Sequence, residues 1–421
     1  MKLNTIIKGS ASKNMTGLSE ASLENLTSAV FWENNDVDLF LSHRFSCEEI
    51  QVYQNRVAHC IESKNLSLGY VGLLTSGTTQ LSQNQGESQV TQKIILIRKS
   101  AVLASARLVI QKFHLKNETW LYNLPQHHIG GISILARASL MKSKILEFNR
   151  WNAEQLVQTA QNESATELLV SLVPTQIFDI VQAKLICPAK IKKVFVGGGQ
   201  MSQALYQDVL KLGWPVIQTY GMTETSAMIA DFDWSLDCFK PFAGIQIQID
   251  KGNRLCVQTP GAYEFQITES IYVNKFNSFI QTDDLARSLK TKAQAMCFQL
   301  FGRVQNQIKI LGELVNLQLI EKNILQSFGM NEQELAIVAI PDGRKENKLI
   351  LCINELVIGK KSAEELENLK IFISGKIQDY NSSSLGFERI DQYIFVPAFP
   401  LNDSGKLQRA ALKDLVSKIV D

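Results

Sequence analysis

The sequence predicts an α/β protein: a large N-terminal part with mainly parallel, helix-covered sheets and a barrel-like β portion, followed by a small C-terminal α+β unit. Three observations predict it. A chain of 421 residues with 45% hydrophobic content is long enough for two unequal cores. Between about Lys93 and Tyr220, short β-rich runs alternate with helical stretches, the pattern of βαβ units. After Phe242 the long helices stop, and short strands separated by turns take over.

The elements follow in order. KIILIR (Lys93 to Arg98) reads as a strand and Ser100 to Gln111 as an amphipathic helix. Thr119 to Leu124 is the next strand, and an apolar helix follows around Ile132 to Leu140. Asn152-Ala-Glu-Gln155 is a capping box that opens a helix. Glu167 to Val173 then reads as a buried strand, Thr175 to Ala183 as a helix, Lys192 to Val196 as a strand, Ser202 to Leu212 as a helix and Pro215 to Tyr220 as a strand. Such alternation requires parallel pairing with helices on both faces. IQIQID, RLCVQT and EFQIT lie between Phe242 and Leu300 and predict antiparallel or barrel-like pairing. Beyond Arg303, ELAIVAI and KLILCIN flank a Pro341 to Gly343 turn, Ser362-Ala-Glu-Glu365 caps a helix, and QYIFVP makes a last strand. The division expected is therefore 1–302 and 303–421.

Charge and cysteine usage exclude several function classes. Forty-three Lys plus Arg nearly balance forty-one Asp plus Glu, so no net field favours nucleic acid or an anionic membrane. Seven scattered cysteines form no Cys-x-x-Cys pair and no zinc spacing, and read as reduced residues of a cytoplasmic protein. No run of about 18 apolar residues occurs, and the N-terminus lacks a signal-peptide core. Small-molecule partners are expected.

Three constellations carry chemistry. Thr75-Ser76-Gly77-Thr78-Thr79 is a hydroxyl-rich turn able to hold phosphate oxygens, although it lacks the second glycine and the lysine of a Walker loop. Gly197-Gly198-Gly199-Gln200 follows a strand, where glycines admit a flat or anionic ligand at the crevice of an open sheet. A plain strand-to-helix turn would look the same. Tyr220-Gly221-Met-Thr223-Glu224 places an aromatic ring, a hydroxyl and a carboxylate within five residues, able to stack a base, bind a phosphate and hold Mg²⁺.

YGMTETS resembles the signature of the adenylate-forming superfamily, which includes acyl-CoA synthetases, luciferases and peptide-synthetase adenylation domains. Other motifs of that family then appear in order. TSGTT resembles its phosphate loop and VGGGQ the segment beside the adenine and acyl pocket. Gln281 to Ala286 resembles the motif whose aspartate, here Asp284, holds the ribose hydroxyls. Gly302-Arg303 with Ile308 to Glu321 resembles the hinge motif, and Pro400 to Lys406 resembles the motif ending in the catalytic lysine, with Arg409 at its usual arginine. Leu124 to Ser133 is similar to a segment of bacterial o-succinylbenzoate:CoA ligases of menaquinone synthesis, and His128 aligns with the histidine that flanks the acyl carboxylate. His127 reads as a core histidine.

The resemblance implies ATP, Mg²⁺ and coenzyme A, and a carboxylic acid as substrate. Tyr220 would meet the adenine, Asp284 the ribose, Thr223 the α-phosphate and Glu224 the metal, with Gly221 and Arg303 as further cofactor-binding residues. Lys406 would ride on a mobile C-terminal domain turning at Gln305. Arg137 is a candidate partner for a second substrate carboxylate, with a surface or helix-capping role as the alternative. Monomer and homodimer are both open.

The chain departs from the family pattern in places. Thr79 is followed by Gln-Leu-Ser-Gln-Asn-Gln-Gly-Glu-Ser in place of Gly-x-Pro-Lys, which leaves two expectations: looser ATP binding, or Lys93 or a hydroxyl in that lysine's part. Asp283 stands for a glycine, Gln305 for the hinge Asp or Lys, and Leu311 for a glycine. Three functions therefore stay open: an o-succinylbenzoate:CoA ligase, a ligase or carrier-loading domain for another aryl or aliphatic acid, and a weakened nucleotide-binding protein.

Overall fold

The structure is a computed structural model that describes residues 3–7, 18–19, 23–41, 47–75, 93–148, 150–165, 167–268, 270–275, 277–290, 296–304, 307–310, 313–342, 345–359, 361–402 and 405–420. Ser76, Gly77, Thr78 and Thr79 of the expected phosphate loop, together with Gln305, Leu311 and Gly343, lie outside the described residues.

Among the described residues, two large sheets carry the N-terminal part. The parallel half of the eleven-stranded sheet runs Ile145–Glu147, Thr119–Tyr122, Leu168–Leu172, Ile191–Val196 and Val216–Met222. It continues, antiparallel, through Ala227–Asp233, Cys238–Pro241, Met296–Arg303, Ile280–Lys290, Arg254–Gln258 and Gln246–Ile249. The seven-stranded sheet runs Ile271–Val273, Phe265–Ile267, Lys93–Arg98, Tyr70–Thr75, Val37–Leu41, Leu3–Ile7 and Leu18–Ser19. The β-rich stretch after Phe242 thus divides its strands between both sheets. Phe265–Ile267 pairs with Lys93–Arg98 and couples that stretch to the strand following the phosphate loop.

Helices Lys99–Phe113 and Ile129–Met141 pack between the sheets, in one apolar cluster with Leu73, Ile95, Trp120 and Phe195. The second helix is buried on nearly every side. Ile132, Ile134 and Leu135 are fully buried, each contributing roughly 1.5–3 kcal/mol. Within so apolar a helix the equally buried Arg137 stands out. The expected cap at Asn152 is formed, its side chain accepting from Gln155 N at 2.6 Å.

After Arg303 come a hairpin of Gln307–Ile310 with Glu313–Asn316 and a three-stranded sheet of Leu335–Asp342, Glu346–Asn354 and Gln392–Val396. Ser362 and Glu365 form a reciprocal capping box for helix Ala363–Ser383. A partly buried ion pair between Glu321 and Arg409 ties helix Leu317–Phe328 to the final helix, and Glu321 also accepts from Ile337 N. Arg409 thereby fixes the helix that begins three residues after Lys406.

Candidate active site

Parallel strands end together at one edge, and their carboxyl-terminal turns converge there, the position where open α/β sheets bind ligands. Leu172 and Val173, Gly197 and Gly198, Gly221 to Glu224, Leu124, Pro125, and His128 to Gly130 line a cavity of about 500 Å³. Thr75, Lys93, Asp284, Arg303 and Lys406 line it as well.

One wall is organised by Asp284. Its carboxylate accepts from Tyr220 Oη and from Arg303 Nε, both at 2.6 Å, while its N–H donates to Thr282 Oγ1 at 3.1 Å. Burial, and then the Asp284 carboxylate, push the Tyr220 phenol well above its usual range, so it stays a neutral donor. Tyr220 differs here from the expected ring against the adenine. Side chains alternate along a strand, so Thr219 and Gly221 face the cavity and the Tyr220 ring turns into the core, at 5.4 and 5.5 Å from Phe298 and Phe239. Tyr220 orients Asp284.

Next to it, Thr223, Glu224 and Thr225 form a single 3₁₀ turn. Thr225, fully buried, accepts from Met222 N and donates to Ala227 O, which leaves Thr223 and Glu224 to line the cavity. Gly221 is required by packing: a Cβ there would lie 1.8 Å from Ala227 O. Glu224 Oε1 is 2.6 Å from Lys93 Nζ.

Lys406 enters from the C-terminal part. Its Cε would stand 3.2 Å from a Cβ on Gly198, whose φ is +80°, and Gly405 abuts Thr175. Surrounding protein, followed by the Arg303 guanidinium, lowers the Lys406 ammonium from its ordinary value, and Asp284 opposes this, although the side chain keeps a solvent-accessible face. Of the glycine-rich turn only Gly197 and Gly198 line the cavity; Gly199 and Gln200 do not reach it. Gly199 follows the turn onto Pro174, 3.3 Å from its would-be Cβ.

At the other end lie His128, the N-cap residue of helix Ile129–Met141, and Arg137 two turns on. The His127 and His128 rings are 4.5 Å apart. Arg137 is 1% exposed and its Nε has no hydrogen-bond partner. The guanidinium sits 4.9 Å from the Trp120 ring centroid, with no carboxylate paired to it among the described residues. Burial pulls it down to about 9, so it keeps its charge at neutral pH. Ser171 Oγ, also buried and unpartnered, lines the same end. Ser171 escaped the sequence reading; its signal was a hydroxyl in the otherwise apolar run LLVSLV.

A second contact joins the two parts. Glu332 faces Ser202, the N-cap of helix Gln203–Lys211, with its Oε1 buried and unpartnered. Burial, which outweighs the opposing hydrogen bonds to its own backbone and Ser202 and is helped by Glu321, pushes its carboxyl up to about 7 from 4.5. The folded state therefore holds the proton more tightly than the unfolded chain. That stabilisation is complete below the unfolded value and is lost as pH rises through about 7. Glu332→Gln is expected to flatten the fall of Tm between about pH 5 and pH 8. An unchanged slope in thermal unfolding would reject this assignment.

The strand-end cavity, with the Asp284 carboxylate on one wall and Lys406 entering from the part after Arg303, has the layout expected of an adenylate-forming enzyme. Residues 74–262 match the model of the AMP-binding enzyme family. It is 23% identical over 412 residues to a 2-succinylbenzoate–CoA ligase of Lactococcus lactis, covering 94% of this chain and 78% of that one. A 2-succinylbenzoate–CoA ligase of Bacillus licheniformis is 28% identical over 202 residues, 47% of this chain and 40% of that one. Among solved structures, the o-succinylbenzoate coenzyme A synthetase of Bacillus subtilis in complex with ATP and magnesium ion has the same fold. Its TM-score is 0.70 at 18% identity, over 98% of this chain and 89% of that one. No helix among the described residues is long and apolar enough to cross a membrane.

Proposed function

We propose that the chain is an AMP-forming acid:CoA ligase for an acid bearing a second carboxylate, converting o-succinylbenzoate to o-succinylbenzoyl-CoA in menaquinone synthesis. The observation that carries this substrate class is Arg137. A buried cation without a carboxylate partner is costly, and one that faces a ligand cavity is matched by an anionic ligand group. Ser171 offers an unpartnered hydroxyl in the same cavity. The names of the curated relatives fit such an acid.

In this reading the reacting carboxylate lies between His128 and Lys406, and the far carboxylate is held by Arg137. Asp284, oriented by Tyr220 and Arg303, takes the ribose hydroxyls of ATP, and Thr223 donates to the α-phosphate. Mg²⁺ is typically held by one or two carboxylates plus substrate phosphates. Glu224 offers one such carboxylate, and the described residues contain no three-ligand cluster for a resident ion. Bound with ATP, Mg²⁺ offsets phosphate charge. Lys406 stabilises the negative charge that redistributes as the carboxylate oxygen bonds to the α-phosphorus and pyrophosphate departs. The unit after Arg303 then turns, withdraws Lys406 and admits the CoA thiol, a gating step. Both ATP and CoA come from the cytoplasm.

One assay tests the reading: AMP and thioester formation from o-succinylbenzoate, ATP, Mg²⁺ and CoA. Stoichiometric AMP and o-succinylbenzoyl-CoA are expected. Nucleotide binding without pyrophosphate release would overturn ligase activity, and turnover of monocarboxylic acids alone would overturn the substrate class.

A further inference from the structure

Residues 76–92 read SGTTQLSQNQGESQVTQ and contain no lysine or arginine; their only charged side chain is Glu87. Outer phosphates of a nucleotide are ordinarily met by a cation with charge-assisted hydrogen bonds. The first cation after Thr75 is Lys93. Strand register sets Thr75 directly opposite Lys93, so the two side chains stand on one face of the sheet, and both line the cavity. Thr75 Oγ1 is buried and has no hydrogen-bond partner, a donor left over at the phosphate end. Of the other cations on the cavity wall, Arg303 is paired with Asp284, Arg137 lies over Trp120, and Lys406 is taken up by the α-phosphate in the proposed function.

Lys93 Nζ is itself 2.6 Å from Glu224 Oε1, the carboxylate suited to the divalent ion. Ammonium and metal ion cannot share that oxygen without repulsion. A lysine on a flexible four-carbon stem can swing between two anions.

We propose that Lys93 is an exchangeable counter-ion: it neutralises Glu224, and passes to the outer phosphates of the nucleotide when a divalent cation takes its place on that carboxylate. The inference rests on the reading of the cavity as an ATP site. It assigns one side chain two successive partners, and makes the lysine's position report metal loading.

The test compares Lys93→Met with the unaltered protein by calorimetric titration with Mg·ATP and with AMP, and by Mn²⁺ binding measured by electron paramagnetic resonance with AMP bound, which supplies a phosphate ligand without the outer phosphates. Mg·ATP affinity is expected to fall about 10- to 100-fold, with AMP affinity unchanged, because AMP lacks the outer phosphates. Mn²⁺ affinity is expected to rise, since its competitor for Glu224 is gone. Lys93→Arg should keep most of the Mg·ATP affinity, and Lys93→Gln replaces the methionine variant if that one fails to fold. Equal losses for ATP and AMP, or no loss of ATP, would overturn the phosphate contact; unchanged Mn²⁺ affinity would overturn the exchange. Failure of the unaltered protein to bind either nucleotide would instead overturn the ATP-site reading.

Discussion

Lys406→Ala is expected to slow pyrophosphate exchange by roughly 10²- to 10³-fold, the usual consequence of deleting one placed donor to transition-state charge. Thioester formation from preformed acyl-adenylate should survive. The reason is positional. Lys406 reaches the cavity only because Gly405 abuts Thr175 and Gly198 leaves room for its stem, and it approaches the wall on which Arg303 and Asp284 sit. Surrounding protein and the Arg303 charge lower its affinity for a proton while Asp284 opposes this, and a placed ammonium stabilises the transition state as phosphate charge rearranges. That role ends once the adenylate exists. Equal loss of both half-reactions would show that Lys406 supports one fixed arrangement of the two parts and would reject the turning of the C-terminal unit.

Much of this was legible in the sequence because period and motif agree. The alternation from Lys93 to Tyr220 showed four of the five parallel strands, and the turns that end two of them carry VGGGQ and YGMTE, so the strand ends and the site coincide; Ile145–Glu147 is too short to read as a strand, and Lys93–Arg98 joins the other sheet, antiparallel to Tyr70–Thr75. What the sequence did not reveal depends on which way side chains point. Tyr220 reads as a base-stacking ring, but the strand pleat turns it toward Phe239 and Phe298, and its contribution passes through a hydrogen bond to Asp284, sixty-four residues away. The β-rich stretch after Phe242 reads as one barrel-like portion, since local alternation cannot tell which sheet edge a strand joins. Phe265–Ile267 crosses to the seven-stranded sheet. Arg137 was visible as a charge in an apolar helix, but only packing distinguishes a surface arginine from one that is 1% exposed and unpaired.

Arg137→Leu is expected to separate stability from catalysis. Cutting away a buried guanidinium that contacts a ligand carboxylate should reduce kcat/KM for o-succinylbenzoate by roughly 2–5 kcal/mol, or about 30- to several-thousand-fold. An aromatic acid with only the reacting carboxylate has nothing to lose at that position, and its kcat/KM should hold. Thermal stability should hold or rise, because replacing an unpaired buried charge by a packed apolar group removes a desolvation cost. Arg137→Lys keeps the charge without the planar fork and should fall between the two. The two readings of Arg137 then part. If the guanidinium were a structural strut stacked on Trp120, the leucine variant would lose stability and would lose activity on both acids alike. A variant that is at least as stable yet selectively blind to the second carboxylate leaves ligand recognition as the reason this helix tolerates a buried cation.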